Sequence, residues 1–114
     1  MLTVAVMYPA AGGATFDHDY YMATHIPMVR RLWEPMGLQE IRILRGAPAP
    51  DGAPPAYSTI ALITFTDPDA FTAAAGRHGA EIFKDIPNFT DAKPVLQFNE
   101  AVVNEAAVNE AGAA

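Results

Sequence analysis

Three histidines, His18, His25 and His78, are the side chains of this 114-residue chain best suited to proton transfer near neutral pH. His25 follows Tyr21 by one helical turn, a spacing that places both side chains on one helix face. Modest burial moves the pKa of an imidazole across neutrality, so His25 could act as a general acid or base, with the Tyr21 hydroxyl as its hydrogen-bond partner. The alternative is that His25 bonds a backbone carbonyl and only fixes the helix.

Metal and nucleotide chemistry have little support in the sequence. His18 and His25 are two helical turns, about 10 Å, apart, which is too far for one metal ion. The chain has no cysteine, which excludes thiolate catalysis, disulfides and iron–sulfur clusters. It also has no dinucleotide or phosphate-binding glycine motif, and Ser58, its one serine, lies outside any nucleophile motif. The sequence therefore predicts no metal and no cofactor, and it leaves haem or flavin open.

Aromatic residues could form the walls of an apolar pocket next to His25. For any single ring, the alternative is an ordinary place in the hydrophobic core. The candidates are Tyr20, Tyr21, Trp33, Phe65, Phe89 and Phe98.

Hydrophobic periodicity predicts the elements that position these side chains. Alternation with a period of two predicts strands over residues 2–8, 38–46, 57–66 and 93–103. Helices are expected over 17–34 and from Asp67 onward. The order βαββαβ is typical of the ferredoxin-like α+β fold, a four-stranded antiparallel sheet with helices on one face.

Both predicted helices contain residues that disturb a regular helix. Pro27 lies inside the first helix, where it removes a backbone donor and leaves the carbonyl of Ala23 without its helical partner. We therefore expect a kink over residues 23–26. In the second helix a break is predicted at Gly76 or Gly79, followed by a separate turn over 81–85.

The first and third strands are apolar on both faces, although two helices can cover only one face of the sheet. The simplest cover for the second face is the same face of another copy, so we expect a homodimer. Alternatively, a few exposed apolar side chains need no partner.

The charge balance disfavours two classes of partner. Lys plus Arg is 7 and Asp plus Glu is 13, giving a net charge of −6. Neither nucleic acid nor an anionic membrane surface is expected to bind such a chain. No apolar run approaches the ~20 residues that span a bilayer, and the first residues lack a signal-peptide pattern, so a cytoplasmic protein is expected. Residues 1–103 form the predicted domain, and 104–114 form a repetitive Ala/Asn/Glu tail.

Two separated segments are similar to motifs of a known family. Residues 16–29, FDHDYYMATHIPMV, resemble the first-helix signature of the EthD family, named for ethyl tert-butyl ether degradation. Residues 81–90, EIFKDIPNFT, are similar to the later D-I-P-N-F-T segment of that family. The resemblance covers residues 1–103 and leaves the tail out.

This resemblance implies a dimeric α+β barrel of ferredoxin-like subunits and a role with small molecules. Family members carry reductase or oxidoreductase labels, whereas the wider superfamily includes cofactor-free monooxygenases, lactone isomerases and decarboxylases. His25, Tyr20 and Tyr21 match the first motif, and Asp85, Asn88 and Phe89 match the second.

The leading interpretation is an oxidoreductase-like enzyme that acts on an apolar or aromatic organic compound, with His25 and Tyr21 as the catalytic residues. The residues expected to bind the substrate are Tyr20, Trp33, Phe65, Asp85, Asn88 and Phe89. The alternatives are a cofactor-free isomerase or decarboxylase, and a non-catalytic ligand-binding or accessory dimer in a degradation pathway.

Overall fold

The computed structural model describes residues 1–102, which form one antiparallel sheet with two helices packed on the same face. The strands are β1 (Leu2–Pro9), β2 (Leu38–Arg45), β3 (Tyr57–Phe65) and β4 (Val95–Glu100). They lie in the order β2-β3-β1-β4, and all neighbouring pairs are antiparallel. The predicted ferredoxin-like α+β fold is therefore confirmed. The predicted tail, 104–114, lies outside the described residues.

The first helix, α1, changes its hydrogen-bonding pattern along its length. Its three consecutive segments are α-helical His18–Tyr20, π-helical Tyr21–His25 and α-helical Ile26–Trp33. A 3-10 turn, Glu34–Met36, follows it. The side chain of Asp17 caps the start of α1 by accepting the Tyr20 N–H at 3.0 Å.

The irregularity predicted over residues 23–26 takes the form of the π-helical segment. Pro27 has no N–H to donate to the carbonyl four residues earlier, so the α-helical pattern cannot run through this turn. Instead, the Ile26 N–H reaches back five residues to the Tyr21 carbonyl. The wider turn orients both Tyr21 and His25 toward the interior, where they are buried.

The second helix, α2 (Pro68–Lys84), is continuous, so the predicted break at Gly76 or Gly79 is wrong. A glycine inside a helix costs only about 1 kcal/mol relative to alanine. Burial of Ala74 and Ile82 in the core opposes that cost. The predicted turn over 81–85 is consequently the last turn of α2 and its C-cap, and a 3-10 turn, Ile86–Asn88, follows.

The fourth strand is shorter than the predicted 93–103. Pro94 has no N–H to give to a ladder, and β4 begins at the next residue. Strand pairing places Val4 opposite Ile63 and Phe98, and Val6 opposite Ala61. These side chains lie on the face that the helices cover.

The other face of the sheet carries a row of apolar side chains across all four strands. Strand pairing brings Leu44, Ile60, Met7 and Val95 side by side. Leu44 is 40% exposed and Val95 is 46% exposed. Neither helix covers this row, which we call the open row.

Within residues 1–102, no helix combines the length and the apolar composition that crossing a membrane requires.

Candidate functional site

The two segments that carried the family resemblance are in direct contact. The Asp17 N–H donates to the Phe89 carbonyl at 2.7 Å, and the Thr90 hydroxyl donates to the Thr15 carbonyl at 2.6 Å. Phe16 and Thr90 form an isolated antiparallel bridge. These contacts fix the first turns of α1 against the end of α2, which brings distant polar side chains together.

The buried His25 and the partly buried Asp85 form a hydrogen-bonded pair. His25 Nδ1 lies 2.9 Å from Asp85 Oδ2, and His25 is only 4% exposed. Asp85 is the C-cap of α2, so the end of a rigid helix positions its carboxylate. Its second oxygen, Oδ1, accepts the Tyr20 hydroxyl at 2.7 Å and the Asn88 amide at 2.9 Å. Both carboxylate oxygens are therefore engaged.

The surroundings of the pair determine its charge state. Burial acts to raise the pKa of Asp85, but hydrogen bonds from Tyr20, Asn88 and His25 outweigh it and hold the pKa below its ordinary value. Burial lowers the pKa of His25, and the bond to Asp85 opposes this only in part. At neutral pH the carboxylate is ionised and can only accept, so Nδ1 of the neutral imidazole donates to it. Nε2 then carries the free lone pair.

A cavity lies between the sheet and the two helices, with His25 in its wall. Its volume is about 50 Å³, within a concave region of about 550 Å³ that includes solvent at the mouth. Most of the residues that line it are apolar, including Val4, Ile63, Ile82, Ile86 and Leu96. The half-exposed Phe83 marks the mouth.

Few polar groups in the cavity wall are available to a ligand. The side chains with such groups are His25, Tyr8 and Tyr21. Trp33 also lines the cavity, but its Nε1–H already donates to the Ala74 carbonyl at 3.0 Å. The arrangement therefore suits an apolar molecule with one polar end.

Tyr21 contacts His25 through its ring. The two rings are nearly parallel, with an angle of 16° and 5.4 Å between centroids. Phe89 packs on the imidazole with a centroid distance of 4.6 Å. Asp85, instead of the predicted Tyr21 hydroxyl, is the hydrogen-bond partner of His25, because α1 stacks Tyr21 beside the imidazole ring.

The structure separates the predicted site residues into three groups. Those that line the cavity are His25, Tyr21 and Trp33. Those that lie behind His25, as hydrogen-bond or packing partners, are Tyr20, Asp85, Asn88 and Phe89. Phe65 is fully buried in the core beside Trp33, and Phe98 lies against Phe71 with 55% of its surface exposed. The substrate-binding roles of these residues stay predictions.

Sequence reasoning did not single out Tyr8, which lines the cavity. The available signal was its place at the end of β1, on the same strand face as Val4 and Val6. A tyrosine at that position places its whole phenol, including the hydroxyl, in the interior.

Among the described residues, no three His, Cys, Asp or Glu side chains come together in a group that could hold a metal ion.

Comparison with known proteins places this chain and its fold in a known family. The sequence model of the EthD domain matches residues 13–93. The chain belongs to the EthD family. No curated protein sequence matches it.

Solved structures agree with this assignment. An EthD-like protein from Ralstonia eutropha JMP134 is 40% identical, with a TM-score of 0.84 over 92% of this chain and 95% of that one. An ethyl tert-butyl ether degradation family protein from Bacillus halodurans C-125 is 20% identical, with a TM-score of 0.71 over 90% and 99% of the two chains. HapK from Hahella chejuensis shares the fold at 16% identity, with a TM-score of 0.58 over 94% and 99%.

Proposed function

We propose that this protein is an enzyme that acts on a small, apolar or aromatic organic molecule, with His25 as the general acid or base. The observation that carries the proposal is the 2.9 Å hydrogen bond between His25 Nδ1 and Asp85 Oδ2 beside a cavity. This bond holds the imidazole in one tautomer and leaves Nε2 as the basic nitrogen. Asp85 also stabilises the imidazolium that forms when Nε2 takes a proton.

The cavity wall supports an apolar substrate. None of the described residues that line the cavity is Lys, Arg, Asp or Glu, so a strongly charged molecule would lose its hydration without gaining an ion pair. An oxidoreductase reaction is an expectation from the family resemblance. The geometry of the described residues supports the proton-transfer step.

The proposal predicts that His25→Gln slows proton transfer by roughly 10²–10⁴-fold, the contribution of a positioned acid or base. Small apolar ketones and lactones are incubated with the protein in D₂O, and NMR measures deuterium incorporation at carbon. For the compound that exchanges fastest, the exchange rate is then compared between the wild type and His25→Gln. Because His18 lies on the same helix and does not line the cavity, His18→Gln is the matched control and should keep the wild-type rate.

Equal exchange rates in folded wild-type and His25→Gln proteins would reject the catalytic role. Binding of the same compounds without any exchange would instead favour a ligand-binding or accessory protein.

We also propose that the protein forms a homodimer through the open row. Leu44, Ile60, Met7 and Val95 form an apolar band across the whole sheet, on the face that lacks helices. The same band of a second copy would remove it from water and produce a two-sheet core.

A further inference from the structure

Tyr8 shares the wall of the cavity with the candidate base. It lies at the end of β1, is 2% exposed, and contacts Tyr21 edge to face with 6.0 Å between ring centroids. The Tyr21 ring is in turn stacked on His25. The two phenols and the imidazole therefore form one continuous wall.

Both phenols line the cavity, although each residue is almost fully buried. Burial raises the pKa of Tyr8, and interaction with the Tyr21 hydroxyl lowers it in part. Burial also raises the pKa of Tyr21. Both groups therefore stay protonated at neutral pH and can donate hydrogen bonds.

We propose that Tyr8 and Tyr21 together form an oxygen-binding subsite that recognises the carbonyl group of a neutral, apolar ketone or lactone. This proposal rests on the proposed function and names its substrate class. The enclosed volume of about 50 Å³ accommodates only the polar end of such a molecule, and the apolar body extends toward Phe83 at the mouth. A phenol hydroxyl that accepts a hydrogen bond from the other phenol becomes a stronger donor to the carbonyl oxygen.

The subsite and His25 together account for a balanced reaction step. His25 Nε2 removes a proton from the carbon next to the carbonyl group. The electrons of that C–H bond form a C=C bond, and the carbonyl π electrons move to the oxygen. The phenols stabilise the resulting enolate oxygen. Return of the proton to the same carbon restores the substrate, and where a C=C bond is conjugated with the enolate, its return to the far end of that conjugated system gives an isomer. Neither outcome requires an oxidant or a reductant.

Cyclohexanone and methylenecyclohexane test the subsite, because they differ only in the replacement of the carbonyl oxygen by a CH₂ group. NMR titration should show that the wild type binds the ketone more tightly. Tyr8→Phe keeps the ring and removes the donor, so it should reduce this preference about tenfold, which corresponds to one hydrogen bond of about 1.4 kcal/mol. Tyr21→Phe should reduce it as well.

Two control variants separate this proposal from the catalytic one. Tyr57→Phe removes a phenol that does not line the cavity and should leave the preference unchanged. His25→Gln should also retain the preference, since the lone pair of Nε2 gives nothing to a carbonyl oxygen, but it should lose deuterium exchange.

The proposal is overturned if Tyr8→Phe keeps the full wild-type preference, or if the wild type binds neither compound. Loss of preference in Tyr8→Phe without enzyme-dependent exchange would support the subsite and reject the general base. Deuterium exchange that depends on His25, together with an unchanged ketone preference in Tyr8→Phe, would support the general base and reject the subsite.

Discussion

The imidazole of His25 depends on several residues that never reach the cavity. Tyr20 and Asn88 hold Oδ1 of Asp85, and Oδ2 of Asp85 then holds His25 Nδ1. Each link fixes the orientation and the charge of the next. The chemistry of one ring nitrogen, Nε2 of His25, therefore rests on a chain of hydrogen bonds that crosses from α1 to the end of α2.

We predict that the protein loses stability as the pH falls below about 6.5, the ordinary pKa of histidine. Burial lowers the pKa of His25 in the folded state, so the unfolded chain binds the proton first and acidification favours unfolding. One proton contributes at most about 1.4 kcal/mol per pH unit. The pKa of Asp85 is also lowered, and its contribution is lost at still lower pH, as the carboxylate is protonated.

Urea unfolding at neutral pH and near pH 5 measures this loss. His25→Gln should show a smaller decrease than the wild type. Burial and the charge of Arg45 lower the pKa of His18 as well, so His18→Gln should also show a smaller decrease and measures the contribution of that histidine separately. A decrease in His25→Gln as large as that of the wild type would show that His25 does not titrate in this way.

Sequence reasoning selected His25 as a candidate but did not find Asp85 as its hydrogen-bond partner. The spacing of Tyr21 and His25 and the family motif both pointed to this histidine. Asp85 lies 60 residues further along the chain, and only packing of α1 against α2 brings the two together. The resemblance indicated Asp85 as a residue expected to bind the substrate, whereas its contact with His25 required the tertiary structure.

Among the elements, the helices show where local patterns succeed and where they fail. Pro27 predicted a kink over residues 23–26, and the structure has a π-helical segment, Tyr21–His25, at this place, because a proline in the interior of a helix removes a backbone donor. The form of that turn, a π-helical segment, depends on which carbonyl the Ile26 N–H can reach. Gly76 and Gly79 indicated a break in α2 that does not exist, because packing of the helix on the sheet outweighs a small local cost.

We predict that Gly76→Ala stabilises the protein by about 0.5–1 kcal/mol. Gly76 lies in the exposed part of α2, and a methyl group there meets nothing within 4 Å. Gly37→Ala should instead destabilise it by roughly 1–3 kcal/mol, since Gly37 has φ of 109° and a methyl group there would lie 3.1 Å from Ala70 and Thr66. Urea unfolding free energies of the two variants measure both effects, and destabilisation by Gly76→Ala would contradict the first.

At the scale of the whole molecule, the alternation of hydrophobic residues was sufficient to predict the topology. Four strands and two helices in the order βαββαβ leave few alternatives to this sheet. The same alternation indicated two apolar faces, and the structure places the open row on the face without helices. The cavity could not be predicted in this way, because it depends on how closely side chains from three strands and two helices pack.

We predict that Ile60→Asp converts a dimer into a folded monomer. Ile60 lies between Leu44 and Met7 in the open row, where a carboxylate from each copy would be buried against apolar side chains. Sedimentation velocity measures the mass in solution. Ala73→Asp, on the exposed side of α2, should not change it. A wild type that sediments as a monomer at all concentrations would disprove the homodimer.

The chain contains a single tryptophan, Trp33, and the structure places that indole in the wall of the cavity with its N–H bonded to the Ala74 carbonyl. The fluorescence of this one tryptophan therefore reports the polarity of the cavity. A ligand that displaces water from the cavity should shift the emission to shorter wavelength. Intrinsic fluorescence can thus be used to screen compounds for binding without labelling the protein.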